Sequence, residues 1–174
     1  MANAVGARHA SDAEVGRGSH LLVAFIRVGV ALLWIENVGW KRPPDFESLR
    51  KYTDYAVEYP VFAPFSRVVE HIVLPNFTFF AWMTLLVEAS LGAFLLIGLA
   101  TRFWAVVGIG QSVLIMLSVR NAPNEWEWSY YLMILAHVAV FATAAGRSYG
   151  LDGLLRPGCR RSESRLSGLA LRLS

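Results

Sequence analysis

The chain has 174 residues, of which 55% are hydrophobic and only 17% charged, with a formal net charge of +3. With a mean hydropathy of +0.44, this describes a one-domain membrane protein, and its small, scattered charge gives no footing for nucleic acid. A single cysteine, Cys159, excludes an intramolecular disulfide, a CxxC redox pair and a cysteine-rich metal site.

Residues 1–19 are small and polar. They lack the basic start and short apolar core of a signal peptide and read as a flexible tail. The first apolar run, about 21–40, is LLVAFIRVGVALLWIENVGW. About twenty residues at ~1.5 Å each cross a hydrocarbon core of ~30 Å, so this run is a span. It carries Arg27 two turns in and Glu36 near its far end. At 100° per residue these charges fall half a turn out of phase, so each needs its own partner. Lys41 and Arg42 with Pro43 and Pro44 mark an interfacial exit, and Glu36 with Lys41 forms a secondary polar site there.

Residues 43–75 do not span. Tyr52, Tyr55 and Tyr59 recur at helical spacing, Val61 to Leu74 carries a rough apolar stripe, and prolines punctuate both pieces. Two short amphipathic helices at the membrane surface fit this pattern, with a solvated loop as the plainer alternative.

The second span, about 77–99, holds one carboxylate, Glu88, near its middle. The turn Ala100-Thr101-Arg102 is so short that the next run, about 103–119, must return antiparallel beside it. That third span carries Gln111 and Ser112. After the polar RNAPNEWE turn, a fourth run of about 128–145 carries His137 at mid-depth. The chain closes with Gly146-Arg147-Ser148-Tyr149-Gly150-Leu151-Asp152 and a basic tail over 156–174. The distribution of basic residues puts both termini and the central turn in the cytoplasm, with the long loop outside. The fold expected is all-α: a polytopic four-transmembrane-helix bundle over residues 20–155.

Measured from the cytoplasmic ends, Arg27 lies about 9 Å deep, Gln111 and His137 about 12 Å, and Glu88 about 16 Å. Arg27, Glu88, Gln111 and His137 therefore form a candidate buried polar layer, with Arg27 reaching Glu88. A charge at mid-span costs roughly 2.5–3.5 kcal/mol on insertion scales, so it is kept for a partner or a task. The plainer readings are a register-fixing ion pair, a satisfied core histidine and a glutamine that bonds between helices. No metal or haem is expected, because no span carries a histidine pair or a repeated carboxylate–histidine spacing.

Taken together, several pieces resemble the DoxX family of four-span membrane proteins, which includes the DoxD-type subunit of thiosulfate:quinone oxidoreductase. They are Arg27 with Lys41, Glu88 followed by Gly92, Leu95 and Leu96, the turn Gly98-Leu99-Ala100-Thr101-Arg102, and the Gly146-Arg147…Leu151-Asp152 close. The resemblance covers residues 21–155; the long outward loop and the arginine-rich tail depart from the family's pattern. It implies a bacterial inner-membrane subunit that presents a quinone headgroup to the Arg27–Glu88–His137 layer. No covalent cofactor is implied. In that reading Arg27 stabilises charge on a quinone oxygen, and His137 or Glu88 exchanges protons. The expected partners are the lipid bilayer, other subunits of a membrane complex or a second copy of the chain, and quinone. Two other readings stay open. One is a non-enzymatic accessory or assembly subunit of a respiratory or redox complex; the other is a small-solute or proton pathway.

Overall fold

A computed structural model describes residues 2–161 and 164–174. Among these the chain is helical and forms no strand. Helix α1 runs Ala2–Gly39, and its apolar part, Gly16–Gly39, is long enough to cross a membrane. Phe77–Ile97 (α4) and Thr101–Val119 (α5) are long and apolar enough as well. Between α1 and α4 lie the short helices α2, Glu47–Glu58, and α3, Ala63–Val68, which continues as one π-helical turn over Val69–Val73. The fourth apolar helix, α6, is Glu127–Ala142. Its 16 residues rise only about 24 Å, less than the hydrocarbon thickness. Two further helices follow, α7 over Leu151–Arg161 and α8 over Arg165–Leu173.

The helices pack as antiparallel neighbours, α1 against α4 and α5 against α6. The register of the first pair is visible in its contacts. Ile35 sits against Gly92, where a Cβ would come within 2.7 Å of the isoleucine side chain. Small residues at such positions let backbones approach closely, which drives helix association where burial from water is absent. The core between the helices is Val30, Ala31 and Trp34 of α1, Leu91 and Leu95 of α4, Ala105 of α5, Val140 of α6, and Ala145 in the short turn that follows it. The outer faces carry large apolar side chains instead, with Phe25 75% and Phe79 67% exposed. Polar groups inside and bare phenylalanines outside suit a lipid solvent and not water.

The connection after α1 is fastened to α4 by a separate apolar contact. Phe46 is buried with Phe77 and Ala81 and meets Trp82 edge to face. This places the end of α1 beside the first half of α4, and that proximity positions the polar cluster described next.

Candidate functional site

Glu88 is fully buried on α4, and three donors from two other parts of the chain converge on it. Lys41 Nζ lies 2.5 Å from Oε2, and Asn37 Nδ2 donates to the same oxygen at 3.2 Å. Gln111 Nε2, from α5, donates to Oε1 at 3.1 Å. Lys41 lies just past the C-terminus of α1, where its ammonium also donates to the Asn37 carbonyl at 3.0 Å and sits over the Trp40 ring. Burial lowers the Lys41 pKa from its ordinary value, and the neighbouring Glu88 charge opposes that shift. Ion pair and hydrogen bonds together give both carboxylate oxygens a donor, two on Oε2 and one on Oε1. This is the condition for keeping a charge in a low-dielectric interior.

His137 forms a second, adjacent unit. Trp34 Nε1 donates to His137 Nε2 at 2.8 Å, and His137 Nδ1 lies 2.7 Å from the Met133 carbonyl. That pairing assigns the proton to Nδ1 and the lone pair to Nε2, a neutral imidazole with both nitrogens engaged. Gly108 of α5 makes the room, since a Cβ there would run into the imidazole ring. Trp34 and Asn37 are one turn apart on α1, so the two units stack along the same face.

The third unit lies at the opposite end of the helices, around Arg27. Its guanidinium is buried against Gly98 and Gly150, both of which lack the Cβ that would collide with Nη1. Gly98 also has φ +69°, the left-handed conformation that closes α4. Arg27 Nη2 donates to the Tyr149 carbonyl at 3.3 Å. Asp152 supplies nearby negative charge, but its oxygens are committed elsewhere. They accept from the backbone N–H of Ala100 at 2.7 Å and of Thr101 at 2.9 Å. Asp152 therefore caps the N-terminus of α5 from fifty residues downstream, where its charge also complements the helix dipole. The Asp152 N–H in turn donates to the Gly98 carbonyl at 2.9 Å, which ties the α4–α5 turn to the start of α7.

These contacts redraw the expected layer. Glu88 and Gln111 do meet, but Arg27 is not the partner of Glu88; Lys41 is. The depth scale misplaced α1, because the α4–α5 turn at Gly98 lies level with Arg27 and not with the start of the apolar run. Glu88 is ten residues, about 15 Å, further along α4, opposite the end of α1. The proposed secondary site also separates. Lys41 turns inward to Glu88, while Glu36 is exposed. His137 bonds to Trp34 and the Met133 carbonyl, and its hydrogen bonds do not include Glu88 or Gln111. Sequence reasoning missed Asn37, Trp34 and the capping role of Asp152. The one available signal for the cap was Ala100 itself, a helix start with no side chain of its own to accept a hydrogen bond.

Only the His137 unit has its donors and acceptors matched; at the other end Arg27 Nε and Nη1 and the Thr101 hydroxyl are buried with no hydrogen-bond partner among the described residues. The Glu88 unit retains spare capacity, since Lys41 uses two of three N–H donors and Gln111 one of two. A family model described as "TQO small subunit DoxD" matches residues 23–170, so the match runs past the last apolar helix and takes in α7 and most of α8. No curated protein and no solved structure matches the chain.

Proposed function

The chain belongs to the DoxD family, and on that premise we propose that it is a four-span subunit of a quinone-linked redox complex in a bacterial inner membrane, with both termini in the cytoplasm. In this reading α6 is the fourth span, short of full thickness and completed by Trp126 and Trp128 at one interface. The observation that carries the assignment of a site is the cluster on Glu88, where a buried ion pair and an amide meet in the membrane interior.

A quinone offers two acceptor oxygens, and bound here it would supply two-electron acceptor chemistry. The groups that fit its oxygens are the free N–H of Gln111 and the third proton of Lys41. Fixed donors that need no reorganisation are what stabilises charge developing on an oxygen in a dry site. Glu88 holds the Lys41 ammonium in place and is the group to which a proton could be returned. His137 does not fit the donor role expected from the sequence, because Nδ1–H already serves the Met133 carbonyl. Arg27 lies at the other end of the helices and is left to hold the two glycine turns together.

A second reading, a non-enzymatic assembly subunit, is favoured by how completely Glu88 and His137 are satisfied without any ligand. Mild purification with native lipid, followed by identification of bound quinone and of stoichiometric partner proteins, separates the two. Retained quinone supports the first reading; partner subunits without quinone support the second.

A further inference from the structure

The two ends of the helices differ in charge. Residues 145–174 contain six arginines against two acids, Asp152 and Glu163, whereas residues 41–75 balance five basic residues with five acids. Asp152 is buried as the cap of α5 and contributes little to the surface. The arginines at this end lie close enough to repel. Arg147 has its pKa lowered first by desolvation and then by Arg156, Arg102 and Arg160. Such a cluster is a standing attraction for anions.

The same segment is amphipathic and held at a fixed level. The bond from the Asp152 N–H to the Gly98 carbonyl sets the start of α7 beside the ends of α4 and α5. Leu151, Leu154 and Leu155 then share one face of α7, spaced i, i+3 and i+4, and each keeps an exposed part; Leu154 is 77% exposed and Leu151 37%. Helix α8 packs on α7 and presents Leu169, 53% exposed. Arg147 Nη2 donates to the Ser174 carbonyl and Arg156 Nη1 to Ser174 Oγ, so the two helices are fastened together. Between them and the α4–α5 turn is a cleft of about 350 Å³ lined by Leu99, Leu155, Leu169 and Leu173, with Arg156 beside it. An apolar stripe flanked by arginines, tethered where the spans end, is the arrangement of a helix lying in a headgroup layer.

We propose that α7 and α8 form a binding site for an anionic phospholipid, with the phosphate on the arginine cluster and acyl chain against the exposed leucines and the adjoining cleft. Charge complementarity selects this occupant. A zwitterionic lipid gains nothing from the arginines, and a soluble acidic protein gains nothing from leucines set at the level of the membrane. The site lies on the face where basic residues dominate, and cytoplasmic leaflets carry the anionic lipid.

The test uses the full chain, delipidated in detergent and titrated with phosphatidylglycerol or phosphatidylcholine, with bound lipid counted by native mass spectrometry. Wild type should bind phosphatidylglycerol saturably and about tenfold or more tightly than phosphatidylcholine, with the preference shrinking as salt rises. Arg156→Gln/Arg160→Gln/Arg161→Gln should bind both lipids equally. Leu154→Ser/Leu155→Ser should weaken both while keeping the preference. Glycerol phosphate should not displace the lipid. Melting curves of each variant show that the fold survives, and Arg42→Gln/Arg50→Gln, at the opposite end, should leave the preference intact. Equal affinity of wild type for the two lipids, an unchanged preference in the arginine variant, or displacement by glycerol phosphate would each overturn the proposal; the first would make this face a protein-docking surface.

Discussion

Removing Lys41 strands a carboxylate in the membrane interior, and the size of the loss follows from what remains around it. In Lys41→Met the Glu88 carboxylate keeps its bonds from Asn37 and Gln111 but loses the one cation paired with it among the described residues. Breaking a buried pair from one side costs about 3–5 kcal/mol, and the two surviving hydrogen bonds place this case near the lower end. Glu88→Leu strands the Lys41 ammonium, which retains the Asn37 carbonyl, and should cost a similar amount. The double variant removes both charges at once and replaces them with apolar groups of comparable bulk. It should recover to within about 1–2 kcal/mol of wild type, because neither desolvation cost remains. Reversible unfolding in mixed micelles, followed by circular dichroism, gives the three differences. A double variant whose loss equals the sum of the single losses would refute the pairing. The same experiment with Arg27→Gln and Glu88→Gln should show additive losses, because the two residues share no partner.

Two further outcomes follow from the Arg27 end. Gly98→Ala puts a Cβ into the Arg27 guanidinium at a residue with φ +69°. The left-handed backbone alone costs about 1–2 kcal/mol, and the collision adds to it; an Arg27→Ala background should relieve the second part, and an identical loss in both backgrounds would contradict the packing. Asp152→Ala removes the acceptor for two N–H groups at the start of α5, and should cost at least the ~0.5–2 kcal/mol typical of a lost cap. Faster hydrogen exchange at Ala100 and Thr101 is the local readout, and unchanged exchange there would exclude the cap.

The apolar helices were legible in the sequence because their signal is length and composition, which lipid enforces without reference to partners. The same holds for the tight α4–α5 turn and for the family, whose short motifs lie at the turns. Which polar groups meet was less legible. Glu88 and Gln111 were legible only as members of one four-residue layer, and they came together as neighbours on two helices joined by a short turn. Arg27 did not, because α1 reaches α4 through a long connection and its register is set by packing of Ile35 on Gly92. No ruler laid along the sequence contains that contact. Lys41 was hidden for another reason. A lysine just beyond a span ordinarily turns outward to water, and only Glu88, brought beside the end of α1, turns this one inward. Asp152 was visible as part of a motif, but its role depends on a backbone start fifty residues earlier.

The central claim is that the Lys41–Glu88–Gln111 cluster receives a quinone headgroup, and equilibrium binding tests it most directly. A quinone analogue is titrated into the purified full chain and into Gln111→Leu, with melting curves recorded in the same detergent. The account predicts saturable binding by wild type and a loss of about 1–3 kcal/mol, roughly five- to 150-fold, in the variant at little cost in stability beyond one hydrogen bond. Equal binding by the two proteins would remove Gln111 from the site, and a wild type that shows no saturable binding would contradict the claim outright.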